Sequence, residues 1–146
     1  MRSALRTTVA LVVAFVAATI VITLIETING RVLYPGLHAL AEGATDREAV
    51  RHLLAEAPVG ALMVVLAGWA VGTFIGACLA AWIGRRARVA HALALGALIA
   101  LAGVANNLLL PPPLWFWVAG LAVPVASAWA AARLTSAAAR TRLPAA

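Results

Sequence analysis

The sequence predicts an all-α fold: a four-transmembrane-helix bundle with one short extracytoplasmic amphipathic helix. Three observations predict it. Of the 146 residues, 64% are hydrophobic and 11% are charged, against roughly 45–50% and about a quarter in soluble domains. One small core cannot hide that surplus, whereas a lipid-facing surface accounts for it. The apolar residues also fall into four long runs, each able to cross a hydrocarbon layer of roughly 30 Å at about 1.5 Å per residue. Finally, every basic residue is Arg, and the arginines lie beside the runs rather than inside them. An Arg at mid-membrane costs about 2.5–3.5 kcal/mol, so arginines mark the ends of spans.

The first span is expected at about 7–28. Arg2 and Arg6 precede it, and no charge falls between Thr7 and Ile25. A signal peptide is the rival reading, because Ala39-Leu40-Ala41 resembles a cleavage site. The apolar run exceeds the roughly 7–15 residues of a signal h-region, and that site lies too far beyond it. Residues 29–57 form the extracytoplasmic segment, which with Glu26 carries all five acidic residues. Asn29-Gly30 and Tyr34-Pro35-Gly36 are turn signals. Thr45-Asp46-Arg47-Glu48 has the form of a capping box. After it Ala49, Val50, Leu53, Leu54 and Ala57 recur at helical spacing with charges opposite, which predicts an amphipathic helix over about 45–57. Pro58 suits the first turn of a new helix. The second span is expected at 58–83, the third at 89–110 and the fourth at 114–132, with Pro111-Pro112-Pro113 forcing the turn between the last two. Pro124 is expected to kink the fourth.

Charge sets the orientation. Four spans place the N-terminus, the 84–88 loop and the C-terminus on one side, with eight arginines and no acid; the other side has three arginines and five acids. The positive-inside rule then puts both termini in the cytoplasm, in a bacterial inner membrane. Arg2, Arg6, Arg85, Arg86, Arg88 and Arg133 are topology and lipid-headgroup candidates. Trp82 and Trp129 suit one interface, Trp115 and Trp117 the other, and Trp69 falls near mid-membrane as packing. His91 is expected among the headgroups, and His38 is isolated.

Within the second span Gly60, Gly68, Gly72, Gly76 and Gly84 lie at multiples of four, with Ala80 in the same phase. Glycine inside a helix costs roughly 1 kcal/mol against alanine, and close approach of neighbouring helices offsets it. A repeat of four drifts about 40° per step on a helix of 3.6 residues per turn. The ladder therefore predicts a central helix touched on several sides.

The candidate polar cluster is Glu26 and Asn29 at the outer end of span one with Asn106 and Asn107 at the outer end of span three. A buried carboxylate beside amides would make a proton or cation site; a solvated Glu26 paired with Arg31 or Arg51 is the plainer reading. Glu48, His52 and Glu56 share one helix face as metal ligands would, yet a solvated polar face explains them, and no metal or cofactor is expected. Cys78 stands alone, which excludes an intrachain disulfide. There is no His-Glu-x-x-His, no Gly-x-Ser-x-Gly and no phosphate loop, so a non-enzyme is expected. The net charge of +6 follows from topology and implies no nucleic-acid partner.

Size and span number are similar to those of the small multidrug resistance transporters. Those are shorter and carry their essential glutamate deep in span one, whereas Glu26 falls at a span end, so the match is poor. Glu26, Leu33-Tyr34-Pro35, Pro58, Trp69 with the glycine ladder, Asn106 and Pro111-Pro112-Pro113-Leu114-Trp115-Phe116 resemble those of short, uncharacterised four-helix bacterial inner-membrane proteins. That resemblance covers most of the chain and implies a fold without an activity. Those proteins carry a histidine between the outer prolines, where this sequence has Pro112. The expected function is a non-catalytic assembly or accessory component. Its partners would be the lipid bilayer and either further copies of itself or another membrane protein. The alternative is a small proton- or cation-coupled transporter or channel using Glu26 and Asn106.

Overall fold

The computed structural model describes residues 2–43, 46–85 and 87–141, which are helical with no strand among them. α1 is Arg2–Ile28, continued by a π-helical turn over Asn29–Leu33. α2 is Pro35–Gly43, α3 Arg47–Glu56, α4 Val59–Ile83, α5 Arg88–Leu109 and α6 Leu114–Arg140. Four stretches are long and apolar enough to cross a membrane: Ala4–Leu33, Val59–Ile83, Arg88–Leu109 and Leu114–Ala139.

Several boundaries differ from the expected ones for identifiable reasons. Asn29-Gly30 is not a turn: no described glycine has a positive φ, and the pair winds on as π-helix. Asn29 turns inward there, and its Nδ2–H donates to the Ala61 carbonyl at 3.0 Å. The winding stops at Tyr34, because a residue before proline is disfavoured in the helical region; Pro35 then opens α2, an element the turn signals did not suggest. α3 is capped by Asp46, whose carboxylate accepts from the Ala49 N–H at 2.8 Å. Asp is preferred to Thr as an N-cap, and the cap sits one residue beyond the expected Thr45, which lies outside the described residues. Pro58 is the N-cap of α4, its carbonyl accepting from the Ala61 N–H at 2.9 Å. α6 runs through Pro124 and eight residues past 132, through an alanine-rich stretch of strong helix formers.

α4 is the hub: it packs against α1, α5 and α6, while α1 packs on α4 and more lightly on α5. Of the most apolar part of α4, 44% is buried, against 17% of that in α1. The α1–α4 pair is antiparallel and its register can be followed residue by residue. Arg6 meets Ile83, Ala14 and Ala18 meet Gly76, Ala18 and Ile22 meet Gly72, Ile25 meets Gly68, and Asn29 meets Ala61. Ala10, Ala14 and Ala18 are fully buried and spaced by four, so α1 answers the glycines with its own row of small residues.

The glycines of α4 do not all face one neighbour. A methyl on Gly72 would stand 2.8 Å from the Ala18 carbonyl oxygen, and one on Gly76 2.8 Å from that of Ala14. Gly76 also meets Leu95 of α5, Gly84 meets the His91 ring, and Gly60 meets only the Tyr34 hydroxyl end. Ala80, in the same phase, is fully buried. At Gly72 and Gly76 the obstacle is backbone, which cannot swing aside. Gly72→Ala or Gly76→Ala should therefore destabilise the protein by about 1–3 kcal/mol through overpacking. Gly60→Ala should stay within about 1 kcal/mol of wild type, because a phenol can rotate away and alanine favours helix. Unfolding free energies from denaturant titration in mixed micelles measure both, and equal losses at Gly60 and Gly72 would refute the assignment.

Candidate functional site

The polar groups of the spans converge on Trp69. Ten residues into α4, it lies about 15 Å along the axis from Val59, and its side chain is buried. On one side its Nε1–H donates to Glu26 Oε1 at 3.0 Å. Its benzenoid edge fills a slot made by two glycines. A methyl on Gly103 of α5 would stand 2.7 Å from Trp69 Cζ3, and one on Gly120 of α6 would stand 3.1 Å from it. Phe116 of α6 closes the slot edge-on, 5.8 Å away centroid to centroid, and Trp115 meets Phe116 in a second T-shaped contact at 5.7 Å. One indole thus touches an element of each other span.

Glu26 lies seven residues inside the end of the Ala4–Leu33 stretch, roughly 10 Å along the axis. The π turn lengthens the first span beyond Ile28 and so carries Glu26 away from the end. Neither Arg31 nor Arg51 pairs with it: the carboxylate accepts from Trp69, and Arg51 pairs with Glu48 at 3.9 Å. Asn29 and Asn107 are buried, whereas Asn106 is exposed. The Asn107 amide lies beside Gly120, which faces the benzenoid edge of the indole, whereas Glu26 binds the indole Nε1–H. Asn29 Oδ1, Asn107 Oδ1 and Thr73 Oγ1 are buried with no hydrogen-bond partner among the described residues.

A second polar locus lies at the other end of the bundle. His91 is buried rather than set among headgroups, because Gly84 leaves room for its ring. Its Nδ1 lies 2.8 Å from the Ala87 carbonyl. A carbonyl only accepts, so Nδ1 carries the hydrogen, and Nε2 lies 3.2 Å from the Thr7 hydroxyl. Arg6 Nε–H donates to the Ile83 carbonyl at 2.9 Å, one of the free acceptors at the C-terminus of α4. Arg88 donates to the Thr135 carbonyl at 3.2 Å. Arg85 lies over Trp82 at 6.0 Å and Arg133 over Trp129 at 5.1 Å. Arg2 opens α1, and Arg86 lies outside the described residues.

On α3, Glu48 and His52 are paired at 3.4 Å and exposed, and Glu56 is exposed too. No group of three His, Cys, Asp or Glu among the described residues is placed to hold a metal ion. Cys78 is half-buried against the core.

Trp69 packs in the core as expected, but sequence reasoning missed its hydrogen bond to Glu26. The available signal was a lone mid-span indole in a chain with few mid-span polar partners: an indole N–H needs an acceptor, and Glu26 is the one carboxylate within a span. Gly103 and Gly120 went unnoticed because neither belongs to a ladder. The pair predicts a measurable coupling. Trp69→Phe keeps an aromatic ring but deletes the donor with the pyrrole half of the indole. It should cost more than about 1 kcal/mol, the usual scale of an interhelical hydrogen bond in a membrane, the excess coming from the cavity left behind. Glu26→Gln should leave stability within error, since an amide oxygen still accepts. Adding Glu26→Ala to Trp69→Phe should cost less than the two singles together, and a strictly additive double-mutant cycle would show the bond to contribute nothing. The chain matches no protein-family model, no curated protein and no solved structure.

Proposed function

We propose that the protein is a non-catalytic component of an inner-membrane assembly, a fixed four-helix scaffold that works as an oligomer of itself. One observation carries this reading. The outer face of α1 is almost wholly uncovered, and it is grooved rather than smooth. Thr19, Thr23 and Thr27 line a depression of about 500 Å³ between Phe15, Val16, Ile20 and Leu24. Two of the three threonine hydroxyls donate within the helix, Thr19 to the Phe15 carbonyl at 2.9 Å and Thr27 to that of Thr23 at 2.7 Å. Small threonines and projecting Ile20 and Leu24 on one face are self-complementary, as a two-fold interface between identical helices needs. The polar groups of the spans support a scaffold as well, because Glu26, Asn29, Arg6 and His91 are each spent on a tie between elements. The arginines at the His91 end favour a cytoplasmic location for both termini. Val50, Leu53 and Leu54 of α3, turned inward under exposed charges, favour an amphipathic helix laid over the outer end of the bundle.

In a Cys78→Ala background, a single cysteine introduced by Ile20→Cys should give a disulfide-linked dimer in membranes under mild oxidation. Leu101→Cys, on an equally exposed face of α5, should not. A monomeric mass in detergent together with equal cross-linking at both positions would end the dimer reading.

A second reading is a proton- or cation-coupled transporter or channel. What favours it is the place of Glu26 inside a span, where an ionisable group is functional by default, with the unpartnered oxygens of Asn29 and Asn107 as further acceptors. On this reading, proteoliposomes should pass protons or small cations down a gradient, and Glu26→Gln should abolish the flux without unfolding the protein. No flux across protons, alkali cations and small amines would dispose of it.

A further inference from the structure

We propose that a cleft walled by arginines, between the α4–α5 turn and the last turns of α6, seats the phosphate of one anionic phospholipid. The cleft measures about 250 Å³ and is lined by Trp82, Arg85, Arg88, Thr135 and Ala138. Among the described residues its walls carry two guanidinium groups and no carboxylate. α4 stops at Ile83 and α5 begins at Arg88, so the short turn brings both arginines to one opening.

Each arginine is held in place by something other than an acid. Arg88 Nη1 donates to the Thr135 carbonyl at 3.2 Å. That bond uses one of the five N–H groups of the guanidinium and leaves the rest for a ligand. Arg85 lies over the Trp82 ring at 6.0 Å, a contact that orients the group without neutralising it. The Thr135 hydroxyl is already spent on its own helix, donating to the Ala131 carbonyl at 2.8 Å. Recognition therefore falls to two positive, planar, multidentate donors, a set suited to phosphate oxygens.

The setting decides between a soluble phosphate and a lipid. Trp82 is 62% exposed on the last turn of a helix able to span the membrane. An indole at that depth has its apolar body toward acyl chains and its polar edge toward headgroups. The same side chain lines the cleft, so a phosphate held by Arg85 and Arg88 would have its glycerol and chains running past Trp82. Arg133 provides the contrast: it lies over Trp129, exposed on α6, and is no part of the cleft. Topology demands basic residues at this end but gives no reason for two of them to share a cleft.

Native mass spectrometry from nanodiscs with equal phosphatidylglycerol and phosphatidylcholine tests the assignment. Wild type should retain one phosphatidylglycerol with about tenfold preference or more, the scale of two basic groups beside one anionic headgroup. Arg85→Gln should remove most of that preference, and Arg85→Gln with Arg88→Gln all of it. Arg133→Gln should leave it unchanged. Arg88 also ties α6, so the single Arg85→Gln variant, which among the described residues gives up only the contact with Trp82, separates lost binding from lost structure. Equal retention of the two lipids by wild type would overturn the proposal. So would an equal loss in Arg133→Gln and Arg85→Gln. Displacement of the lipid by millimolar inorganic phosphate would assign the cleft to a soluble anion and overturn it as well.

Discussion

An indole N–H buried in a membrane-spanning bundle has no water to turn to, and the fold is arranged around that constraint. Trp69 sits in the most buried helix, so its donor needs an acceptor from another element, and Glu26 supplies it at 3.0 Å. The requirement acts in both directions. A carboxylate this far inside a span also needs a partner, and the indole is the donor it finds. Once α1 and α4 are joined there, the rest of the ring must go somewhere, and only glycine leaves enough room: Gly103 and Gly120 open a slot from α5 and α6. One side chain therefore fixes the relative positions of all four spans.

The α1–α4 contact follows a second rule, because lipid is as apolar as leucine and gives two helices no hydrophobic reason to associate. Close packing has to supply the attraction instead. The row of Ala10, Ala14 and Ala18 against Gly72 and Gly76 brings backbone near backbone, which multiplies dispersion contacts of about 0.1–0.2 kcal/mol each. The wide faces of α1 remain uncovered, with Val12, Val16, Ile20 and Leu24 all exposed. A helix docked along one narrow seam would be free to slide, were its register not set by polar ties at three depths. Asn29 to Ala61 fixes one end, Glu26 to Trp69 the interior, and Arg6 to Ile83 the other end.

Much of this was legible in the sequence, and the remainder was hidden for physical reasons. Arginine placement and apolar run length located four spans, because charge and hydrophobic thickness act on the chain locally. The drift of the glycine ladder implied several neighbours for α4, and the glycines do face α1, α5 and the Tyr34 hydroxyl. What local patterns could not reveal was pairing. Alanine is so frequent here that the row Ala10, Ala14, Ala18 carried no signal until its partner was known. Asn29-Gly30 looked like a turn because turn propensity ignores a carbonyl on another helix; the bond to Ala61 won, and the first span grew by a π turn. That extension turned Glu26 from an end residue into an interior one. His91 was misplaced for a similar reason, since only the tertiary contact with Gly84 shows that its ring has a pocket.

The two ends of the bundle solve different problems with the same few polar residues. At the end holding Asn29, Tyr34 and the proline turn, α2 and α3 supply charges, and the exposed pair Glu48–Arg51 closes on itself. At the end holding Arg6, His91 and Arg88, no described acid faces the arginines, so they turn to carbonyls and aromatic rings. Arg6 takes a helix-end carbonyl and Arg88 the Thr135 carbonyl, while Arg85 and Arg133 lie on indoles. None of these partners cancels a full charge, and a guanidinium bound to a carbonyl or a ring remains a cation. Such cations stay open to anions from outside the chain, which is the premise on which the lipid assignment for the Arg85–Arg88 cleft rests.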